Sequence, residues 1–203
     1  MSSPRRGLPP LEREGLADDP IEQFRDWFAL AEDEAPLAEA MTLATVDSKG
    51  DPNARMVLLK GFGPDGFRFF SNYESAKGEE LDANPTAALV IYWRELDRQV
   101  RVRGEASRLP DEDSDAYFET RPPDSRIAAA VSPQSRPIER ERLDRDFEAA
   151  LAAGEEVPRP AHWGGYVLEP REVEFWQGRE SRMHDRFRYT REGGGWRVER
   201  LAP

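Results

Sequence analysis

Between Met41 and Leu109 the chain breaks into five short runs of β type: Met41 to Val46, Asn53 to Lys60, Phe67 to Ser71, Ala87 to Trp93 and Gln99 to Leu109. The clusters DSKGDP and GFGPDG lie between them, and Gly, Pro and Asp are the residues that close tight turns. This is the pattern of an antiparallel meander. Strand-type runs return at Tyr166 to Leu168, Val173 to Gln177, Arg182 to Thr190 and, across the turn EGGG, Trp196 to Leu201. Six or more antiparallel strands with turns at short intervals predict a mainly β, α+β fold. Its expected form is a closed or split barrel with helices at its ends. The βαβ alternation of a doubly wound sheet is absent, as is G-x-G-x-x-G, so any nucleotide would be held by a route other than a Rossmann turn.

Helical spacing appears in a few places. From Pro20, the residues Ile21, Phe24, Trp27, Phe28 and Leu30 recur at the period of one helix face, ending near Ala35. Ala76 to Ala83 reads as a short helix stopped by Asn84 and Pro85, and Asp111 to Thr120 as another stopped by Pro122 and Pro123. Asp124 to Val131 is a further candidate, and Leu143, Phe147, Ala150 and Leu151 form a stripe closed by Gly154. Residues 1 to 19, rich in Pro, Gly and charge without periodicity, are expected to be a mobile arm before a single domain over 20 to 203.

Composition excludes several kinds of chemistry. The chain has no cysteine and only two histidines, His162 and His184, which leaves no thiolate or histidine-rich metal site. A net charge of −11 argues against nucleic acid or an anionic membrane as partner. No apolar run approaches a membrane span and the amino terminus lacks a signal-peptide core, so the expected address is the cytoplasm. Of 29 basic residues only Lys49, Lys60 and Lys77 are lysines, so a lysine inside an ordered element is informative here.

Three cationic groups stand out in this acidic chain. Ser75, Ala76 and Lys77 open a short helix, where free N–H groups and the dipole attract a phosphate. Tyr117 and Arg121 are four apart on a helix with Ser125 just beyond, a set suited to a phosphate monoester. Arg182, His184 and Arg186 alternate, which on a strand would put all three on one face. The run RMVLLK, residues 55 to 60, ends on Lys60 at a strand end. Trp93, Trp163 and Trp176 can supply flat walls for a planar ligand. Each group also has a plain reading as a capped helix end or a solvated strand face. Together they indicate a phosphate-binding barrel without identifying a reaction.

RMVLLK, RQVRVRGEASRL, YFETRPPDS, SPQS, HWGGY, EFWQGRESRMHDRF and the terminal WRVERLAP, in this order over residues 20 to 203, resemble the pyridoxine/pyridoxamine 5′-phosphate oxidase family. The resemblance implies an FMN-binding split barrel that works as a homodimer, with FMN at the interface. Carried over position by position, it implies flavin contacts from Arg55, Met56, Val57, Leu58, Leu59, Lys60, Phe70, Ser71, Lys77, Gln99, Gln134, Ser135, Trp176 and Arg186. Substrate phosphate would meet Lys60, Tyr117, Arg121 and Ser125, with Arg182, Met183 and His184 around the pyridine ring and Arg182 and His184 catalytic. The implied reaction oxidises pyridoxine or pyridoxamine 5′-phosphate to pyridoxal 5′-phosphate, with O2 as acceptor, releasing H2O2 and, from the amine, NH3. Where family members commonly carry Arg-Lys, this chain has Ala76-Lys77, one phosphate cation fewer.

Overall fold

The computed structural model describes residues 8–203. Helix α1 (Pro20–Glu34) starts under Asp19, whose carboxylate accepts the Ile21 N–H at 2.7 Å. It buries Ile21, Phe24, Trp27 and Ala31 on the sheet. Phe24 meets Phe62 and Phe67 edge to face at 4.8 and 4.9 Å, and Trp27 meets Phe175 at 5.1 Å. Rings packed this fully typically cost about 3–5 kcal/mol to truncate to alanine, so α1 is the principal clamp on the barrel.

Among the described residues nine strands form one antiparallel sheet: β1 (Ala40–Val46), β2 (Pro52–Leu58), β3 (Gly61–Gly63), β4 (Gly66–Asn72), β5 (Thr86–Trp93), β6 (Arg98–Arg108), β7 (Trp163–Gln177), β8 (Asp185–Glu192) and β9 (Gly195–Arg200). The order is β2-β1-β5-β6-β7-β4-β3, with β8 on β7 and β9 on β8. The long strand β7 organises the rest. Its first half, residues 163 to 168, pairs with β4, its last six residues pair with β8, and β6 runs beside both halves. The expected strands Tyr166–Leu168 and Val173–Gln177 are therefore one. Pro170, which has no N–H for a ladder, sits where the β6–β7 register shifts, at Arg103/Gly104. Gly104 is required there, because a Cβ would lie 1.9 Å from the Glu169 carbonyl oxygen.

Helix α2 (Ala76–Ala83) joins β4 to β5, while α3 (Asp111–Glu119), α4 (Pro123–Val131) and α5 (Arg140–Ala153) fill the connection from β6 to β7. Among the described residues no helix is long and apolar enough to cross a membrane.

Three further expectations change. The run 53–60 does not stay one strand: β2 ends at Leu58, Leu59 turns into the core at 4% exposure, and the Lys60 N–H bonds the Arg68 carbonyl. The expected mobile arm is packed over residues 8–19, where Leu11 and Leu16 are buried. There the Leu11 N–H bonds Asp185, Gln177 donates to the Pro9 carbonyl and Tyr189 to that of Ala17. The carbonyls of a segment without periodicity are satisfied by side chains of the sheet, a partnership that periodicity cannot register. The remainder of the expected arm, residues 1–7, lies outside the described residues. Finally, Arg182 is not in a strand: Glu180–Arg182 form a single 3-10 turn with Ser181 and Arg182 at φ 57° and 60°, and β8 begins only at Asp185.

Candidate active site

Lys77, in the first turn of α2, is buried, and its ammonium donates to neutral oxygens: Ser71 Oγ at 2.9 Å, Ser75 Oγ at 3.0 Å and Gln134 Oε1 at 3.3 Å. Burial, with Arg55 nearby, pushes its pKa down to about 8. Arg55, from β2, reaches the same corner and pairs with Glu80 at 2.8 Å. Glu80 is itself buried and also accepts from Thr45 and from Asn53 at 2.8 Å. A desolvated cation with only neutral acceptors at a helix start is a site that an anion would complete.

An aromatic shelf adjoins this corner. Phe70 stacks on Tyr117 at 3.8 Å and on Trp163 at 5.6 Å, with Tyr117 and Trp163 within 6° of parallel. The Arg121 guanidinium lies 4.5 Å from the centre of the Trp163 ring. Its Nη2 donates to the Ser125 backbone carbonyl at 2.9 Å, so the Ser125 hydroxyl is not what holds it. Burial lowers the pKa of Arg121 and raises that of Tyr117. A cavity of about 250 Å³ opens between Asn72, Arg121, Ser132, Gln134 and Trp163, with Gln134 shared with the Lys77 corner.

The other expected residues form a second cluster. Register places Gln99 of β6 opposite Trp176 of β7, and Trp176 opposite Arg186 of β8, in one rung on the sheet's outward face. The His184 ring lies 4.7 Å from that of Trp176, and its Nδ1 accepts the Arg179 backbone N–H at 3.1 Å. Arg182 and Met183 are exposed on the adjoining turn. Arg182, His184 and Arg186 are thus neighbours without sharing a strand face, because the left-handed Ser181–Arg182 turn breaks the alternation.

Arg55, Phe70, Ser71, Lys77, Tyr117, Arg121, Ser125 and Gln134 therefore gather at one end of the sheet, and Gln99, Trp176, Arg182, Met183, His184 and Arg186 at the other. Lys60 stands exposed between β2 and β3, and Ser135 is exposed at φ 69°. Met56 and Leu58 are exposed on the edge strand, Val57 is half-buried and Leu59 belongs to the core. Trp93 lines neither cluster: it is core, with its indole N–H on the Ala38 carbonyl. Along β7 the path from Trp163 to Trp176 is roughly 40 Å of strand at ~3.3 Å per residue. Sequence reasoning missed Glu80 and Glu174, which hold Arg55 and Arg186. Their only local signals are the i,i+3 spacing from Lys77 and the alternation with Trp176.

A curled antiparallel sheet with these two clusters defines a split-barrel protein. The structure of PhzG from Burkholderia lata, in complex with tetrahydrophenazine-1-carboxylic acid, superposes with TM-score 0.93 at 32% identity, covering 99% of this chain and 100% of that one. A pyridoxamine 5′-phosphate oxidase-related, FMN binding protein from Nostoc punctiforme shares the fold with TM-score 0.77 at 19% identity, covering 93% of this chain and 100% of that one. Residues 30–157 match the family profile described as pyridoxamine 5′-phosphate oxidase, and residues 163–203 that of the pyridoxine 5′-phosphate oxidase C-terminal dimerisation region. A pyridoxine/pyridoxamine 5′-phosphate oxidase from Salinibacter ruber is 53% identical over 201 residues, 95% of this chain and 93% of that protein. This chain belongs to the pyridoxamine 5′-phosphate oxidase family, FMN-dependent oxidoreductases of vitamin B6 biosynthesis.

Proposed function

We propose that this chain binds FMN and oxidises pyridoxamine or pyridoxine 5′-phosphate to pyridoxal 5′-phosphate. The observation that carries the reading is the pair of adjoining anion sites. Lys77 with Ser71, Ser75 and Gln134 fits the FMN phosphate, and Arg121 with Tyr117 and Ser125 fits the substrate phosphate, to which we also assign the exposed Lys60. Each holds a desolvated cation with no described carboxylate in ion-pair contact. When bound, FMN supplies the acceptor for a hydride from the substrate C4′ carbon and passes the electrons to O2, giving H2O2. Arg182 and His184 orient the pyridine ring and assist removal of the proton from the hydroxyl or amine group carried by C4′; Gln99, Trp176 and Arg186 form the wall against the flavin. For the amine substrate, the oxidised product releases NH3 on hydrolysis.

The same reading requires two copies. One flavin cannot touch both ends of β7 in one chain, so a second copy must bring its Trp176–Arg186 end to the Lys77 end of the first. Trp176, Arg182, His184 and Arg186 all lie in the stretch matching the family's dimerisation region. Met56 at 63% exposure and Tyr92 at 53% are apolar surface on β2 and β5 that such a homodimer would cover. We place FMN at that interface.

The test is the visible spectrum of the FMN-loaded protein mixed anaerobically with each phosphorylated substrate and then opened to air. Bleaching followed by recovery with pyridoxal phosphate and peroxide is the expected result. A flavin that stays oxidised with both, but bleaches with tetrahydrophenazine-1-carboxylic acid, would move the substrate assignment toward the aromatic ligand seen in the PhzG structure. A flavin that binds and is reduced by none of these would make the chain a binding module. Ala76 opens α2 with no cation of its own, so Ala76→Arg is expected to lower the FMN Kd roughly 5- to 10-fold; titration of FMN fluorescence checks it, and an unchanged Kd removes Ala76 as the weak point.

A further inference from the structure

A second rung lies beside Gln99–Trp176–Arg186 on the same outward face, about 7 Å along the strands. In it Arg101, Glu174, Arg188 and Glu199 stand directly opposite one another on β6, β7, β8 and β9, alternating in sign. Glu174 is 5% exposed although its strand face points outward. Its Oε1 accepts the Nε–H of Arg186 at 2.8 Å and lies 2.8 Å from Arg186 Nη2 as an ion pair, and its Oε2 accepts Arg101 Nη1 at 3.2 Å. Arg186 Nη1 donates to the Ala202 carbonyl at 2.9 Å. A guanidinium has five N–H donors. Glu174 and Ala202 engage two of them, one on Nε and one on Nη1, which fixes the plane of the group. Burying a carboxylate between cations is about neutral for stability, so orientation and local charge are what this arrangement supplies.

We propose that Glu174 is the positioning residue for Arg186, and that its charge sets how strongly this face favours reduced over oxidised flavin. The inference rests on the reading above that FMN lies against Gln99, Trp176 and Arg186. Reduced flavin is electron-rich and gains from positive charge beside it, and Glu174 offsets the charge of Arg186 at contact distance. Removing the carboxylate therefore favours the reduced form. Removing Arg101, which partly neutralises Glu174 from its other oxygen, does the reverse.

The measurement is the FMN midpoint potential of the holoprotein, with FMN affinity determined in parallel. Glu174→Gln, which keeps the shape and loses the charge, is expected to raise the ratio of reduced to oxidised FMN affinity about tenfold, some 30 mV for a two-electron couple. Arg101→Gln, at an exposed residue outside the proposed contacts, is expected to shift the potential the opposite way by a smaller amount. A merely structural role would not produce opposite signs. Unchanged potentials in both variants, or shifts of the same sign, overturn the inference. Should Glu174→Gln not fold, Arg101→Gln alone decides by its sign. Trp176→Leu is measured alongside: unchanged FMN affinity there overturns the placement of the flavin and the inference with it. Weakened affinity there, with no shift in the other two, overturns only the role of Glu174.

Discussion

Arg182→Leu is expected to lower kcat by at least about 100-fold while leaving the FMN Kd within about twofold of the parent. Arg182 is exposed, sits at φ 60° in the turn before β8, and has no hydrogen bond or ion pair to another described side chain. Its guanidinium is thus free for a ligand. The turn does not depend on it, since Met183 N–H bonds the Glu180 carbonyl and Arg179 N–H bonds His184 Nδ1. Because Nδ1 accepts that hydrogen bond, the neutral imidazole carries its proton on Nε2 and offers a donor there. On the proposed reading, Arg182 is the cation that this turn brings to the reacting carbon. Steady-state turnover with either substrate, next to an FMN titration, checks this; turnover equal to the parent would end the catalytic role of Arg182.

Lys77→Met has the opposite profile. It is expected to weaken FMN binding roughly 10- to 100-fold, the loss of a charge-assisted hydrogen bond to phosphate. In the apoprotein Lys77 titrates near pH 8, against 10.5 for an ordinary lysine. FMN affinity of the parent should therefore fall as pH rises through about 8, and the Met variant should lack that step. Stability runs the other way. Between about pH 8 and 10.5 the unfolded chain still binds the proton that the folded apoprotein has released. This group's penalty on folding is therefore full below pH 8 and relieved as pH rises through that window. Bound phosphate removes the penalty by keeping the lysine charged. Thermal melts across this range, with and without FMN, would show the two slopes; a flat FMN affinity from pH 7 to 9 would take Lys77 out of the phosphate site.

The two variants also test the shared site together. Lys77 and Arg182 belong to opposite ends of the sheet, so on the proposed two-chain site a heterodimer of Lys77→Met and Arg182→Leu chains would hold one site with both defects and one with neither. Refolding the two together should recover about a quarter of parental activity through random pairing. If no activity returns in a mixture shown to contain the heterodimer, both ends serve one site within a single chain.

Much of this protein was legible before any fold was known. The meander followed from short β-type runs and turn chemistry, and α2 matches its expected bounds because Asn84 and Pro85 stop it locally. Lys77 stood out because lysine is scarce, and Tyr117 with Arg121 because helical spacing put them on one face. These are signals of near neighbours, where periodicity and caps act. What the sequence could not order was contact across the sheet. The packing of residues 8–19 depends on Asp185, Gln177 and Tyr189, over 160 residues away in the chain. The union of two expected strands into β7 depends on Gly104 accepting the Glu169 backbone against it. Trp93, Trp163 and Trp176 are equally plausible walls by composition, and only tertiary packing sent the first to the core and the others to opposite ends of one strand. Local chemistry is written in residue order, so the sequence alone determined which groups are candidates for holding phosphate. How those groups are distributed along the sheet is decided by strand register, which pairs residues that sequence separates.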